Sequence, residues 1–302
     1  MFKLNNYLSI FSKKTVSDRI THMKISRYLE RIESFKDKKI IITGATAGIG
    51  LELAKHLVTK DATLVLLVRN IEKAKGVKKT LLEVNPNSTI DIVYYDQSIY
   101  SSIDDAVNTI KDKHSDFYAL VANAAIMLPP KSAISAQGYP LTIDTNYLGL
   151  KRFLSQINHL FEGKRIIIQG SLISGFHVSK KVDIYSNKYA MFKQYNTSKS
   201  CVEALWYHYL VNDQRNEYIL TEPGVTSSDI FREIKQPIRA IGKVFVNIVS
   251  HSPKKASLTL LQALSKESKS GDFIIPRGLF AISGYPKYKK VPNKRKREFL
   301  IN

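Results

Sequence analysis

Two residues four apart, Tyr195 and Lys199, carry the strongest chemical suggestion in the 302-residue sequence. They belong to Tyr195-Asn196-Thr197-Ser198-Lys199, inside a helical pattern predicted over 189–212, so both project from one helix face. A free phenol ionises near ~10, too high for efficient proton exchange at neutral pH. A neighbouring ammonium would stabilise the phenolate and bring that value down. Tyr and Lys at this spacing also meet by chance, so the pair needs support from elsewhere in the chain. Ser171, in Gln169-Gly170-Ser171, ends a strand pattern upstream, where a hydroxyl could hold a substrate carbonyl.

A second constellation is Thr43-Gly44-Ala45-Thr46-Ala47-Gly48-Ile49-Gly50. It follows a β-branched run, Lys39 to Thr43, and precedes an amphipathic stretch with Leu51, Ala54, Leu57 and Val58 on one face. Glycines between a buried strand and a helix let backbone N–H groups approach a pyrophosphate at the positive helix end. The bland alternative is a glycine-rich turn with no ligand. At the end of the next strand an acidic residue would hydrogen-bond the adenosine ribose and favour NAD. This chain has Val68-Arg69-Asn70 instead, and a guanidinium pairs bidentately with phosphate, which points to NADP(H). An ordinary arginine at a helix start is the other reading of Arg69.

The elements that must position these groups alternate regularly. Continuous apolar strands are predicted at 39–43, 63–68, 90–95, 117–122, 165–169 and 218–221, with amphipathic helices between them, among them 71–84, 103–110 and 142–161. That pattern means a parallel sheet covered on both faces, hence a doubly wound α/β fold with ligands at the carboxyl ends of the strands. We expect about six or seven parallel strands in one catalytic domain over 39–284. A basic, partly helical extension (1–38) precedes it and a basic tail (285–302) follows.

Composition narrows the function classes. With 44% apolar and 24% charged residues the chain can bury a full core. One cysteine, Cys201, excludes a disulfide framework, and the seven histidines show no metal-ligand spacing, so no metal is expected. No apolar run reaches the ~18–20 residues of a membrane helix, and no secretory signal is evident, so a cytoplasmic protein is expected. The formal charge is +20, of which +5 lies in 1–38 and +6 in 285–302. The densest run, Lys294-Arg295-Lys296-Arg297, lies near the C-terminus without interleaved aromatics, so nucleic acid is not expected as a partner. A solvated tail is the plain reading, and peripheral contact with an anionic membrane through the basic ends is the other.

Taken together, 39–284 resembles the short-chain dehydrogenase/reductase family, in particular its retinol dehydrogenase and 3-ketosteroid reductase-like, NADP(H)-dependent branch. Thr43 to Gly50 matches the family's TGxxxGxG turn and Tyr195/Lys199 its YxxxK pair. Asn123-Ala124-Ala125, Asn146 in Asp144-Thr145-Asn146-Tyr147, Asp96, and Pro223-Gly224-Val225 match further segments in the same order. The resemblance implies a Rossmann fold and a Ser-Tyr-Lys(-Asn) mechanism. Ser171 would orient the carbonyl, Tyr195 would exchange the proton, Lys199 would lower the phenol pKa and bind ribose, and Asn146 would hold a relay water. It also implies cofactor contacts at Gly44, Thr46, Ala47, Gly48, Ile49, Gly50, Arg69, Asn70, Asp96, Gln97, Asn123, Ala124, Ala125, Tyr195, Lys199, Pro223, Gly224 and Val225. Two departures stand out. The family commonly has two serines where this chain has Gly170-Ser171, which leaves Ser174 as the alternative orienting hydroxyl. The 24-residue interval from Ser171 to Tyr195 is long and implies an insert.

The remaining features are less specific. His177, in the insert, is read as a surface residue. Trp206, Tyr207 and Tyr209 follow the Tyr195/Lys199 pair and are read as core or subunit interface, so a homo-oligomer is open. Apolar residues in 227–250, including Ile230, Phe231 and Phe245, suggest either a lipophilic substrate loop or a packed helix. The favoured activity is hydride exchange between NADP(H) and a small-molecule carbonyl or alcohol. The alternative is a non-catalytic NADP(H)-binding redox sensor or scaffold.

Overall fold

The computed structural model describes residues 25–127, 133–176, 181–182, 191–226, 251–292 and 300–301. Two units divide at Glu33/Ser34. In the first, the described part is a helical stretch at 25–30, closed by Arg31 and Ile32 amides donating to the Tyr28 and Leu29 carbonyls.

The second unit is a sheet wrapped in helices. Its strands are β1 (Lys39–Thr43), β2 (Thr63–Val68), β3 (Ile90–Tyr94), β4 (Ala119–Ala122), β5 (Arg165–Gln169), β7 (Glu217–Thr221), β8 (Phe273–Pro276) and β9 (Pro286–Lys289). The helices are α1 (Gly48–Val58), α2 (Ile71–Val84), α3 (Tyr100–Lys113), α4, α5 (Met191–Asn212), α6 (Pro253–Ala256) and α7 (Leu258–Leu264). Helix α4 runs through Leu141–Ile143, a π turn at Asp144–Leu148 and Gly149–Leu160. The sheet order is β3-β2-β1-β4-β5-β7-β8-β9, parallel throughout except for the β8–β9 pair. A further two-stranded parallel pair joins β6 (Lys181–Val182) to β10 (Leu300–Ile301).

Burial explains the strand composition. Ile40, Ile41 and Ile42 are fully buried because both sheet faces are covered. Ile41, Val65, Leu67, Ile166 and Ile168 face the core shared with α3, α4 and α5, while α1, α2, α6 and α7 pack together on the other face. Successive strands step outward from β1 in one direction to β3 and in the other to β9. The reversal between β1 and β4 opens a crevice at the carboxyl edge, where such folds bind ligands.

Three expectations change. The sheet has eight strands and is mixed, because β9 returns antiparallel along β8. Its sequence, Pro-Lys-Tyr-Lys, reads as a tail since charge and proline mark an edge strand, where neither disturbs the ladder. The segment 285–302 is therefore not simply a tail. At the other end, 34–38 belongs with the sheet unit: Phe35 is fully buried and its amide donates to the Lys60 carbonyl at 2.7 Å. The expectations for His177 and 227–250 fall outside the described residues. Among the described residues no helix is long and apolar enough to cross a membrane.

Candidate active site

The glycine turn shows why each glycine is there. Gly44 has φ of 72°, and a Cβ on it would lie 2.9 Å from the Ala124 Cα. On Gly50 a Cβ would come within 2.5 Å of the Gly44 carbonyl oxygen. Gly48, at φ 56°, has no atom within 4 Å of such a Cβ, so only its backbone conformation demands glycine. Thr43 and Asn123 brace the turn. The Thr43 hydroxyl accepts from the Asn123 and Ala124 amides at 3.0 and 2.9 Å, and Asn123 Nδ2 donates to the Thr43 carbonyl at 2.9 Å. Helix α1 starts after Ala47 with no side-chain cap and no acid in its first turn. Among the described residues no side chain caps its first amides, and the residues present fit a dinucleotide pyrophosphate.

Around the expected adenosine end the picture divides. Arg69 is exposed and makes no hydrogen bond or ion pair among the described residues. Asp96 Oδ1 accepts from the Ser98 amide and hydroxyl at 2.9 and 2.7 Å, which fixes the turn after β3. Asn70 and Gln97 have side chains committed to the protein. Asn70 Oδ1 caps α2 by accepting from the Lys73 amide at 2.8 Å. Gln97 is buried, donating to the Thr145 carbonyl at 2.5 Å and accepting from the Tyr95 hydroxyl at 3.0 Å. Both side chains thus serve the local structure through these bonds.

At the other end, β5 and α5 bring the reactive groups together. The Ser171 hydroxyl lies near enough to the Tyr195 phenol to influence its ionisation. Burial pushes the phenol up to about 12, and the neighbouring Ser171 hydroxyl is the opposing influence. Lys199 is buried one turn further on and donates to the Gln169 carbonyl at 3.0 Å. Desolvation lowers its pKa to about 8, against the opposing field of Glu203. Burial dominates the phenol, and the ammonium is spent on a β5 carbonyl.

Asn146 is anchored by its own side chain. Its Oδ1 accepts from the Ile126 amide at 2.8 Å, while Nδ2 donates to the Ile126 carbonyl at 2.9 Å and the Ser198 hydroxyl at 3.0 Å. The side chain joins the π turn of α4 to the segment after β4 and to α5, and so fixes the backbone of that turn.

Ser174 is turned away from the phenol. Its hydroxyl contacts the Ser171 carbonyl oxygen at 2.5 Å and the carboxylate of buried Glu203. A Cβ on Gly170 would lie 3.1 Å from Glu203 Oε1, which explains the glycine in place of a second serine. Glu203 was missed in the sequence, although an acid four residues after Lys199 on the same helix was the available signal. His251 was missed too. Its ring Nε2 bonds the Pro223 carbonyl at 2.6 Å and its amide donates to Val225 at 3.0 Å, so it holds Pro223-Gly224-Val225 at the end of β7. Nothing in the residues around His251 signalled that contact.

The structure therefore gathers the glycine turn, Asn123, Gln169, Ser171, Tyr195, Lys199 and the Pro223–Val225 segment at one edge of the sheet, linked in part by the Gln169 side chain donating to Asn123 at 3.0 Å. Known proteins resemble this chain in sequence and fold. The family model for short chain dehydrogenases matches residues 38–238. Polyprenol dehydrogenase of Danio rerio is 23% identical over 249 residues, covering 78% of this chain and 76% of the relative. Short-chain dehydrogenase/reductase prx1 of Penicillium roqueforti is 25% identical, covering 82% and 76%. Among solved structures, levodione reductase superposes with a TM-score of 0.63 at 18% identity, covering 77% of this chain and 92% of that one. A short chain dehydrogenase from Burkholderia cenocepacia J2315 in complex with NADP gives 0.60 at 16% identity, covering 78% and 93%. With the matched segment spanning the glycine turn, the strand-end serine and the Tyr/Lys pair, the chain belongs to the short-chain dehydrogenase family of NAD(P)-dependent oxidoreductases.

Proposed function

We propose that the protein is an NADP(H)-preferring reductase or dehydrogenase acting on a lipophilic carbonyl or alcohol. The observation that carries the reading is the convergence of Ser171, buried Tyr195 and buried Lys199 at the sheet edge that holds an uncapped glycine turn. When bound, the nicotinamide supplies or accepts the hydride. The chain supplies the rest. The Ser171 hydroxyl holds the substrate oxygen and the Tyr195 phenol gives or takes its proton. Burial favours the protonated phenol, the form that donates when a carbonyl is reduced. Lys199, already bonded to the β5 carbonyl, is the group for the nicotinamide ribose, and Arg69 the one for a 2′-phosphate. The apolar residues of 227–250 and the long Ser171–Tyr195 interval support a lipophilic substrate, as does the name of the Danio rerio relative, polyprenol dehydrogenase.

NADPH oxidation against a panel of ketones, aldehydes and long-chain alcohols (with NADP for the last) tests this. With any substrate found, Tyr195→Phe should lose at least ~10²–10⁴-fold in turnover while cofactor binding persists. Near-normal turnover in Tyr195→Phe would refute the mechanism. Cofactor binding with no turnover across the panel would favour the sensor reading.

A further inference from the structure

The loop joining β8 to β9 carries a feature that dinucleotide and substrate binding leave unused. Phe280 is 76% exposed, the highest value for a large apolar side chain among the described residues. It sits at φ 52°, and Ala281 follows at φ 60°, two successive non-glycine residues in the left-handed region. Such a backbone persists only where its surroundings fix it. Here they do: Arg277 donates to the Tyr285 carbonyl at 2.7 Å, Gly278 to Ser283 at 2.8 Å and Ala281 to Gly278 at 3.0 Å. The ring is thus held out in water by a rigid turn.

Charge surrounds it. From Phe273 to Arg297 the sequence has eight Lys and Arg residues and no Asp or Glu. Of these, Arg277, Lys287, Lys289 and Lys290 lie in the described part, and none is in an ion pair among the described residues. The Lys287 ammonium reaches the Arg277 carbonyl at 3.3 Å, so it lies against the turn that carries Phe280, and Lys289, two residues along the strand, shares its face. That surface lies at the ligand edge, because Val225, beside the expected nicotinamide position, donates to the Ile282 carbonyl of the same loop at 2.8 Å.

We propose that this loop docks the protein on an anionic lipid surface, with Phe280 entering the headgroup region and the cations facing lipid phosphates. Unopposed cations beside one protruding ring match such a surface. A second copy meeting the same patch would set like charges against each other. A nucleic-acid platform would need several rings lining a groove, whereas Tyr288, the nearest other exposed ring in sequence, has its hydroxyl bonded to Gln262 and Ser268.

Co-sedimentation of the full chain with vesicles tests this without needing a substrate. Vesicles of phosphatidylcholine with about one-third phosphatidylglycerol should bind the protein, phosphatidylcholine alone should not, and molar salt should release it. Phe280→Asn suits the left-handed backbone and should fold normally, yet weaken binding roughly tenfold or more. Arg277→Glu/Lys289→Glu, on exposed positions, should weaken it by about 30-fold or more. The proposal is overturned if wild type ignores anionic vesicles, binds neutral ones equally, or retains only single-stranded RNA. It is also overturned if both variants, folded by their melting curves, bind as wild type does.

Discussion

Lys199 illustrates the conflict between stability and chemistry at a single residue. Its pKa falls from 10.5 to about 8, which means the folded chain holds this proton less well than the unfolded chain. The penalty is full below about pH 8 and disappears above about 10.5, so stability contributed by this position rises with pH through that window. Comparing wild type with Lys199→Met by denaturant titration should show wild type gaining up to about 3 kcal/mol relative to the variant between those limits. A flat difference would mean the ammonium is not desolvated. Arg69 offers a cleaner test of specificity, since it is exposed and unengaged among the described residues. Arg69→Ala should weaken NADPH by roughly 10- to 150-fold and leave NADH unchanged; equal affinity for both cofactors in wild type would remove the basis for the preference. At this scale the sequence showed which residues assemble but not how their side chains are used. Tyr195, Ser171 and the glycines were legible because their types and spacing are the chemistry. The engagement of Asn146, Gln97 and Asn70 was not, because hydrogen-bond partners 3 to 52 residues away decide it.

Single elements owe their placement to a few polar contacts at their ends. The clearest is α7, whose last carbonyls are gathered by buried Arg165, the first residue of β5. Its Nη1 donates to the Leu264 and Ser265 carbonyls at 3.2 and 2.6 Å, Nη2 to Ser268 at 3.1 Å, and Nε to Glu217 at 2.7 Å. A cation at a helix C-terminus also meets the negative end of the dipole. Arg165→Met should cost about 3 kcal/mol and lower the melting temperature by several degrees. Arg165→Lys should recover little, because one ammonium cannot span those acceptors. Cofactor affinity of the folded variants should not change, since α7 ends at the opposite edge from the glycine turn; a large loss of affinity would contradict this. Element positions were readable wherever apolar periodicity was strong, as in β1, β2, β5 and α2. The π turn in α4 was hidden because Asp-Thr-Asn-Tyr-Leu is ordinary helical sequence, and only the pull of Asn146 toward Ile126 distinguishes it. β9 was hidden because an edge strand with one solvated side needs no apolar run.

For the molecule as a whole, the alternation of strand and helix was enough to specify a doubly wound sheet, since parallel strands buried on both faces leave few other arrangements. Charge was legible as a total but not as a pattern in space; only the β8–β9 turn shows which cations share a face with an exposed ring. The pairing of β10 with β6 has a consequence in time. β6 lies in the interval between Ser171 and Tyr195, while its partner strand lies nearly 120 residues further along. During synthesis at about 5–20 residues per second, β6 exists some 6–24 seconds before residue 301 does. For that interval the insert has no partner strand. A nascent chain that already grips its dinucleotide would still have this part of its substrate side unfinished, so cofactor binding on the ribosome should precede turnover.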